Sequence, residues 1–316
     1  MSGKKVGIIG SGLIGRSFAM LFAGAGYKVQ LYDIEKKQVD GALENIKTQL
    51  AHLEEVGLLR GDLSKSEQFA LISGTSNMSE CISGACYIQE CVPEIQAVKE
   101  GVYAEIDKLV TDDRCVLASS TSAMPISYFT SNISHKSQCI VVHPCNPPFF
   151  CPVVEICPAA YTKPEITEVT MAMMRETGQK PVLIKKELYG FVLNRMQYAM
   201  LNEVWKMVED GSIGVEDVDS VVKDGLGLRY AFMGPFETCH LNVAGFSDLI
   251  NKFGSLMDQL NSTMGPYNVM GGESAKKVAE VLNKKMPLDK LDERRKWRDS
   301  RLIALAKLKK DLDSNE

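Results

Sequence analysis

The chain has 316 residues, of which 45% are hydrophobic and 24% are charged. A chain of this length can form two domains with cores of their own, and its composition is that of a globular protein rather than a disordered or fibrous one. The net charge of −4 gives no general attraction to nucleic acid or to an anionic membrane surface, so we expect neither as a partner.

The N-terminal segment and the cysteines indicate a cytosolic protein. "MSGKKVGIIGSG" contains only a short apolar run interrupted by glycine, which is not the pattern of a signal peptide. No apolar stretch approaches the roughly 18 residues that a membrane-spanning helix needs. The nine cysteines are an odd number without CxxC pairs, which is typical of reduced thiols and predicts neither a disulfide framework nor a metal site.

The first elements in the chain predict a doubly wound sheet. "KKVGIIG" is a short β-branched run that ends in glycine, as a buried parallel strand does. "LIGRSFAMLFAGAG" carries apolar residues at helical spacing, and "YKVQLYD" predicts a second strand. A strand, a helix and a second strand in this order begin a parallel sheet with helices on its faces.

The remaining elements divide the chain into two parts. Residues 35–72 are predicted to form two helices, the second capped by the serine of "DLS", and four further strands are predicted at "CYIQECV", "RCVLASST", "QCIVVHP" and "VVEICP". From about residue 190 the pattern is helical, with glycine-containing breaks at 211–214, 225–227 and 270–272. We therefore predict a Rossmann-type α/β domain over residues 1–187 and an all-α domain over residues 188–316.

A glycine-rich loop, "GSGLIG", joins the first predicted strand to the first predicted helix. Gly10 permits a tight turn, Gly12 lets a pyrophosphate approach the backbone, and Gly15 allows the helix to pack closely on the strand. Leu13 and Ile14 lie at the helix N-terminus, where unpaired N–H groups bind anions. A glycine turn without a cofactor is the alternative, and the strand before the loop and helix after it favour a dinucleotide.

Asp33 ends the second predicted strand. A carboxylate at this position binds a ribose 2′-hydroxyl and repels a 2′-phosphate. No arginine follows it directly, so the sequence predicts NAD rather than NADP.

Further polar residues lie where other strands end. Ser122 lies in "SSTSAMP", His143 and Asn146 follow the next strand, Glu155 comes twelve residues after His143, and Asn194 opens the first helix of the second domain. Because the residue before a proline avoids helical angles, we expect His143 at an extended strand end, where open parallel sheets bind ligands. Taken singly, each residue also has a structural explanation, as a turn, a packed histidine or a helix cap.

Together these segments resemble the 3-hydroxyacyl-CoA dehydrogenase family over roughly residues 3–245. The matching motifs, in the family's order, are "GIIGSGLIG", "SSTSAMP", "HPCNPPFFCPVVEICP", "GFVLNR" and "GPFET". The resemblance implies that His143 is the catalytic base, that Glu155 pairs with it, and that Ser122 and Asn194 lie near the reacting oxygen. It also implies that Ser122 and Asn146 contact the cofactor, and that the protein is a homodimer formed through its helical domain.

The resemblance further implies an acid and a lysine near the nicotinamide side of the cofactor. The positions that match are Glu94 and Lys99 in "PEIQAVK". Glu90, in "QECVPE", is an alternative for the acid.

The expected reaction is oxidation of a secondary alcohol on a small hydroxy acid. A base must take the O–H proton while hydride passes to nicotinamide, and histidine suits that role near neutral pH. The resemblance extends to the tail "RRKWRDSRLIALAKLKK" in a sugar-acid branch of the family, which implies L-gulonate as substrate. The alternatives are a 3-hydroxyacyl-CoA, L-carnitine, and a structural packing role, which would need neither the histidine pair nor the glycine loop.

Arg229 distinguishes these substrates. It lies in "GLGLRYAFMGPFET", where acyl-CoA enzymes have a small or apolar residue. A guanidinium binds a carboxylate through two charge-assisted hydrogen bonds and gains nothing comparable from a thioester. We therefore expect Arg229 to bind the carboxylate of a free acid; the alternative is that it bridges helices or pairs with Asp224. Carnitine also has a carboxylate, but its quaternary ammonium calls for an aromatic cage, which the sequence does not indicate.

Overall fold

The computed structural model describes residues 4–265 and 271–313. Contacts divide the chain into two compact units: one extends to Arg195 and includes the tail from Asp299, and the other runs from Met196 to Arg298. Within the described ranges, no helix is both long and apolar enough to cross a bilayer.

The first unit is built on an eight-stranded sheet. Its strands are β1 (Lys5–Ile9), β2 (Lys28–Tyr32), β3 (Ile72–Thr75), β4 (Ala85–Glu90), β5 (Val116–Ser119), β6 (Cys139–Pro144), β7 (Val153–Pro158) and β8 (Lys180–Leu183). Their order is β3-β2-β1-β4-β5-β6-β7-β8, and all neighbours are parallel except β6 and β7. The carboxyl ends of β1 to β6 therefore share one edge of the sheet, which is where doubly wound folds bind ligands.

Seven helices of the described chain accompany the sheet. They are α1 (Leu13–Gly24), α2 (Lys36–Glu55), α3 (Lys65–Ala70), α4 (Met78–Ile82), α5 (Gln96–Leu109), α6 (Ser127–Thr130) and α7 (Pro164–Glu176). α3 begins with a capping box, in which the Ser64 side chain accepts from the Glu67 amide and the Glu67 carboxylate accepts from the Ser64 amide. The predicted serine cap is confirmed.

The helical part of the chain follows β8. Its helices are α8 (Leu193–Glu209), α9 (Val215–Val221), α10 (Gly227–Tyr230), α11 (Pro235–Leu241), α12 (Phe246–Thr263), α13 (Gly272–Lys285) and α14 (Leu291–Asp313). A π-helical turn at Val222–Leu226 joins α9 directly to α10. The predicted break at 225–227 is therefore wrong, because the backbone stays helical through its glycines. The predicted break at 270–272 lies partly outside the described residues, which resume at Gly271.

Apolar side chains cover both faces of the sheet and fix the elements that carry the strand ends. α1 is buried along most of its length, with Phe18, Leu21 and Phe22 each no more than 1% exposed. Burying each such side chain stabilises the fold by about 1.5–3 kcal/mol. The loop between β1 and α1 is thus held at both ends by well-packed elements, and the predicted Rossmann-type domain followed by helices is confirmed.

Candidate active site

The glycine loop has the shape that a dinucleotide requires. Gly10 has φ +104°, in the left-handed region that favours glycine, and its N–H donates to the Tyr32 carbonyl at 2.9 Å. A Cβ on Gly15 would lie 1.9 Å from the Gly10 carbonyl oxygen, so α1 packs too closely for any side chain there. A Cβ on Gly12 would meet no protein atom within 4 Å, which leaves its surroundings open to a pyrophosphate.

Asp33 follows β2 and faces this loop. Its Oδ2 accepts hydrogen bonds from the Ser11 backbone N–H at 2.9 Å and from the Ser11 hydroxyl at 2.6 Å. Two apolar side chains beside the loop lie open to solvent, Leu13 at 49% and Ile34 at 77% exposed. The residues therefore fit a dinucleotide: an open backbone cradle, a carboxylate at the ribose position, and apolar surface that a bound base and ribose would cover.

A buried charge network lies behind the ends of β4 and β5. Lys99, 1% exposed, places its ammonium 2.9 Å from Glu90 Oε1, and the Ser119 hydroxyl donates to Glu90 Oε2 at 2.5 Å. Burial raises the pKa of Glu90 above its ordinary value even with the lysine beside it. The ammonium of Lys99 is also 3.4 Å from Glu94 Oε2, so the lysine bridges the two acids between which the sequence left a choice.

Glu94 shapes the turn that follows β5. Its Oε1 accepts from the Thr121 hydroxyl at 2.6 Å and from the backbone N–H groups of Ser122 and Ala123 at 3.0 and 3.1 Å. Burial opposes ionisation, but the Thr121 hydrogen bond, the charge of Lys99 and the backbone donors outweigh it, so the pKa of Glu94 lies below its ordinary value. Ser122 itself is exposed, so its hydroxyl is accessible to a ligand.

His143 and Glu155 lie opposite each other on β6 and β7. They are register partners across the antiparallel pair, and His143 Nδ1 is 2.8 Å from Glu155 Oε2. Their side chains are only 7% and 4% exposed. The prediction that His143 lies at an extended strand end is confirmed, and the structure brings the two sequence-predicted residues into direct contact.

The second carboxylate oxygen of Glu155 is held by the backbone. Oε1 accepts from the N–H groups of Val192 and Leu193, each at 2.9 Å. Burial works against the charge of Glu155, but the bond from His143 and these two amides outweigh it and lower the pKa of Glu155 below its ordinary value. An ionised Glu155 is an acceptor only, so Nδ1 of His143 carries the proton and Nε2 can accept one from a substrate.

The turn that supplies those amides has an unusual backbone. Phe191 has φ +49°, alone among the non-glycine residues that the structure describes, and is fully buried with its ring 5.5 Å from the His143 ring. Such a conformation is uncommon for a bulky residue and is typical of functional sites. The preceding Gly190, φ +79°, donates its N–H to the Ala123 carbonyl at 2.8 Å, which ties this turn to the one after β5.

The other predicted site residues take different positions. Asn194 donates from Nδ2 to the Ser122 carbonyl at 2.6 Å, so these two predicted residues are in contact. Asn146 is exposed, on the loop after β6. Arg229 lies on α10, in the other unit, where its side chain is exposed and has no hydrogen-bond or ion-pair partner among the described residues. Asp224 instead pairs with Lys223 at 3.1 Å, so the pairing of Asp224 with Arg229 is not formed.

Comparison with known proteins gives the family. Residues 5–188 match the model of the 3-hydroxyacyl-CoA dehydrogenase NAD-binding domain, and residues 190–281 match that of the C-terminal domain of the same enzymes. The chain is 46% identical to lambda-crystallin of Oryctolagus cuniculus over 96% of both chains. It is 33% identical to L-carnitine dehydrogenase of Oceanobacillus iheyensis (strain DSM 14371 / CIP 107618 / JCM 11309 / KCTC 3954 / HTE831), over 79% of this chain and 80% of that enzyme.

A solved structure agrees over nearly the full length. The crystal structure of 5-formyl-3-hydroxy-2-methylpyridine 4-carboxylic acid 5-dehydrogenase, an NAD⁺-dependent dismutase, matches with a TM-score of 0.82 at 27% identity and covers 99% of each chain. With two family models spanning most of the sequence and a glycine loop shaped for a dinucleotide, the chain belongs to the 3-hydroxyacyl-CoA dehydrogenase family and is an NAD-dependent dehydrogenase.

Proposed function

We propose that the protein oxidises the 3-hydroxyl of L-gulonate to give 3-dehydro-L-gulonate, with His143 as the base. The observation that carries the proposal is the buried hydrogen bond between His143 and Glu155 at the carboxyl edge of the sheet. His143 Nε2 takes the hydroxyl proton, while Glu155, held by two backbone amides, fixes the ring and stabilises the imidazolium that forms. NAD, when bound, supplies the hydride acceptor.

Ser122 and Asn194 would orient the substrate. Ser122 is exposed on the turn after β5. The side-chain amide of Asn194, on α8, is held beside this turn because its Nδ2 donates to the Ser122 carbonyl at 2.6 Å. Hydrogen bonds from such groups would keep the substrate oxygen aimed at the base. Glu94 and Lys99 would lie near the nicotinamide of the cofactor, and the ion pair with Lys99 would hold the Glu94 carboxylate in position.

Cofactor contacts are proposed for the glycine loop and for two side chains. Gly10, Gly12 and Gly15, with the Leu13 and Ile14 amides, would hold the pyrophosphate, and Asp33 the ribose. Ser122 and Asn146 would contact the nicotinamide end. In this proposal residues 1–187 bind NAD, and residues 188–316 supply substrate contacts and a dimer interface.

Two observations support L-gulonate as the substrate: the likeness to lambda-crystallin and the side chain of Arg229. That guanidinium is exposed and unpaired among the described residues, as a carboxylate-binding group must be. The π-helical turn Val222–Leu226 directly precedes α10, the helix that carries Arg229, and such turns are frequent at functional sites. We propose that Arg229 binds the substrate carboxylate and so selects free acids over CoA esters.

Three alternatives are distinguishable by experiment. The likeness to L-carnitine dehydrogenase makes L-carnitine the second candidate substrate, and a 3-hydroxyacyl-CoA is the third. A structural lens role, as the name lambda-crystallin suggests for that relative, can exist alongside catalysis but explains neither the histidine pair nor the open glycine loop.

The deciding experiment is a substrate panel with purified protein. NADH formation is measured with L-gulonate, L-carnitine and 3-hydroxybutyrate, and NADH consumption with acetoacetyl-CoA. The proposal requires the highest kcat/KM for L-gulonate. A higher kcat/KM for L-carnitine or acetoacetyl-CoA would identify that compound as the better substrate. No turnover of any compound in the panel would contradict the proposed catalysis.

A homodimer is proposed through the helical unit. α12 carries an apolar stripe at helical spacing whose members are at least 37% exposed: Phe246, Ile250, Phe253, Met257 and Leu260. A continuous stripe of this kind is typical of a protein interface. Sedimentation should give a dimer for the wild type and a monomer for Phe253→Glu.

We also propose a cytosolic location. All nine cysteines lack disulfides, as is typical of proteins in a reducing compartment.

A further inference from the structure

Thr121 is a buried residue of the turn after β5 that the function proposed above does not use. It is 0% exposed. Its hydroxyl donates to Glu94 Oε1 at 2.6 Å and accepts from the Met124 N–H at 3.1 Å. Because a single oxygen makes both bonds, it ties the Met124 amide to the Glu94 carboxylate.

The Met124 N–H belongs to the same planar peptide group as the Ala123 carbonyl. Holding the N–H therefore also sets the direction in which the carbonyl points. That carbonyl accepts from the Gly190 N–H at 2.8 Å, a hydrogen bond to a distant part of the chain. The Thr121 hydroxyl thus orients the group to which Gly190 is bonded.

Gly190 begins the turn that holds Glu155. It has φ +79°, and Phe191 after it has φ +49°. The next two N–H groups, of Val192 and Leu193, donate to Glu155 Oε1 at 2.9 Å each. A left-handed phenylalanine costs free energy and persists only where surrounding contacts enforce it. The hydrogen bond from Gly190 to the turn after β5 is such a contact.

We propose that Thr121 is a positioning residue for the catalytic pair. Its hydroxyl orients the peptide group that follows Ala123, this group holds the turn at residues 190–193, and that turn presents its amides to Glu155. The inference rests on the function proposed above, in which Glu155 orients the ring of His143. It adds a buried threonine to the groups that set the geometry of the base.

Removing the hydroxyl affects the two sides of the site differently. In Thr121→Val the Met124 N–H loses its acceptor, so its peptide group can rotate and the hydrogen bond to residue 190 weakens. The amides that hold Glu155 then lose their fixed direction. Glu94, in contrast, keeps two backbone donors and its ion pair, so we expect the cofactor side of the site to be unchanged.

Hydrogen exchange followed by mass spectrometry tests this connection directly. In the peptide that contains the Val192 and Leu193 amides, exchange should be about tenfold faster in full-length Thr121→Val than in the wild type, the usual size of coupling between two sites. Thr121→Ser, which restores the hydroxyl, should exchange as the wild type. Thr170→Val is the matched control and should do the same, since Thr170 is also 0% exposed and its hydroxyl donates to the Ile166 carbonyl within α7.

Unchanged exchange in Thr121→Val, or an equal change in Thr170→Val, overturns the proposal. If Thr121→Val does not fold, Thr121→Ala removes the same hydroxyl and takes its place in the comparison.

Turnover of L-gulonate with NAD tests whether the effect passes through Glu155. Thr121→Val should lower kcat about tenfold and keep NADH affinity within about twofold of the wild type, and Thr121→Ser should keep both. In a Glu155→Gln background, Thr121→Val should lower kcat further by less than about twofold, because changes that act through one group are not additive. A full tenfold loss in that background, or weaker NADH binding with kcat unchanged, overturns the positioning role.

The two measurements separate this inference from the proposed function. If the wild type does not oxidise L-gulonate, the proposed function fails, and the exchange of the Val192 and Leu193 amides still decides whether Thr121 positions the donors to Glu155. If the wild type oxidises L-gulonate and the exchange does not change in Thr121→Val, the positioning role alone is wrong.

Discussion

The carboxylate of Glu155 is held on both of its oxygens, by His143 on one and by two backbone amides on the other. All three donors favour its ionised form, which is why its pKa is lowered despite 4% exposure of the side chain. The same geometry fixes the histidine ring, since an anchored carboxylate cannot follow a rotating imidazole. The three hydrogen bonds to Glu155 therefore both keep its carboxylate ionised and orient the His143 ring.

This lowered pKa predicts a pH-dependent stability. In the unfolded chain a glutamate has a pKa of about 4.3. The ionised Glu155 therefore contributes fully to the free energy of unfolding above that pH, and this contribution is lost as the pH falls through its lower folded pKa. Glu155→Gln removes the titration. The difference in Tm between wild type and variant should therefore be largest near neutral pH and shrink between about pH 5 and 3. A constant difference across that range would show that Glu155 gains nothing from its charge.

Asp33 predicts cofactor choice. In the proposed NAD site, the Asp33 carboxylate, which accepts from Ser11, would lie where the 2′-phosphate of NADP would have to bind. Asp33→Ala should therefore narrow the preference for NAD over NADP, mainly through KM. Ser11→Ala is the matched control, because it removes a hydrogen bond to Asp33 and keeps the charge. The control should keep the preference, and wild-type protein using both cofactors equally would contradict the role of Asp33.

At the scale of the elements, two glycines of the β1–α1 loop serve different purposes: Gly15 allows close packing within the protein, and Gly12 leaves space for the cofactor. Gly15→Ala places a methyl group 1.9 Å from the Gly10 carbonyl oxygen and should lower Tm. Gly12→Ala meets no protein atom and has an ordinary φ of −65°, so it should keep Tm and weaken NAD binding, because its methyl group would occupy the pyrophosphate's place. Calorimetry and NADH titration distinguish the two. Equal NAD affinity in Gly12→Ala and wild type would place the pyrophosphate elsewhere.

Sequence patterns predicted most of the sheet, and the exceptions have physical reasons. β3 reads "ISGT" and β8 reads "KPVL", runs too short and too rich in glycine, serine or proline to show the strand pattern. Both are edge strands, which need less apolar sequence than central ones. The helix break predicted at Gly225 failed because a π-helical turn accommodates it.

The candidate site was predicted unevenly for a similar reason. His143 and Glu155 lie on adjoining predicted strands, and their pairing was predicted from the resemblance to the family. The orientation of the Val192 and Leu193 amides toward Glu155 depends on the left-handed backbone of Phe191. Phenylalanine rarely adopts that conformation, so the sequence does not predict it. Lys99 bridging two acids also depends on burial that spacing alone does not show.

At the scale of the whole molecule, the helical unit is proposed to select the substrate. Arg229→Met should raise KM for L-gulonate about 10²-fold, equivalent to losing a charged hydrogen-bonded pair of roughly 2–3 kcal/mol, and leave NAD binding unchanged. Lys223→Met is the matched control, since Lys223 is an exposed cation on the same stretch that pairs with Asp224. An unaltered KM in Arg229→Met, or an equal rise in the control, would refute the carboxylate contact.

The central claim is that this dehydrogenase acts on L-gulonate through His143. The most direct measurement is the initial rate of NADH formation from L-gulonate and NAD by wild type and His143→Gln, with NADH binding measured on both. Because glutamine fills a similar space without a titratable nitrogen, we expect equal NADH affinity and a kcat lowered by at least about 10²-fold, the usual loss when general base catalysis is removed. Near-normal turnover by His143→Gln would contradict the mechanism, and failure of the wild type to oxidise L-gulonate would contradict the substrate.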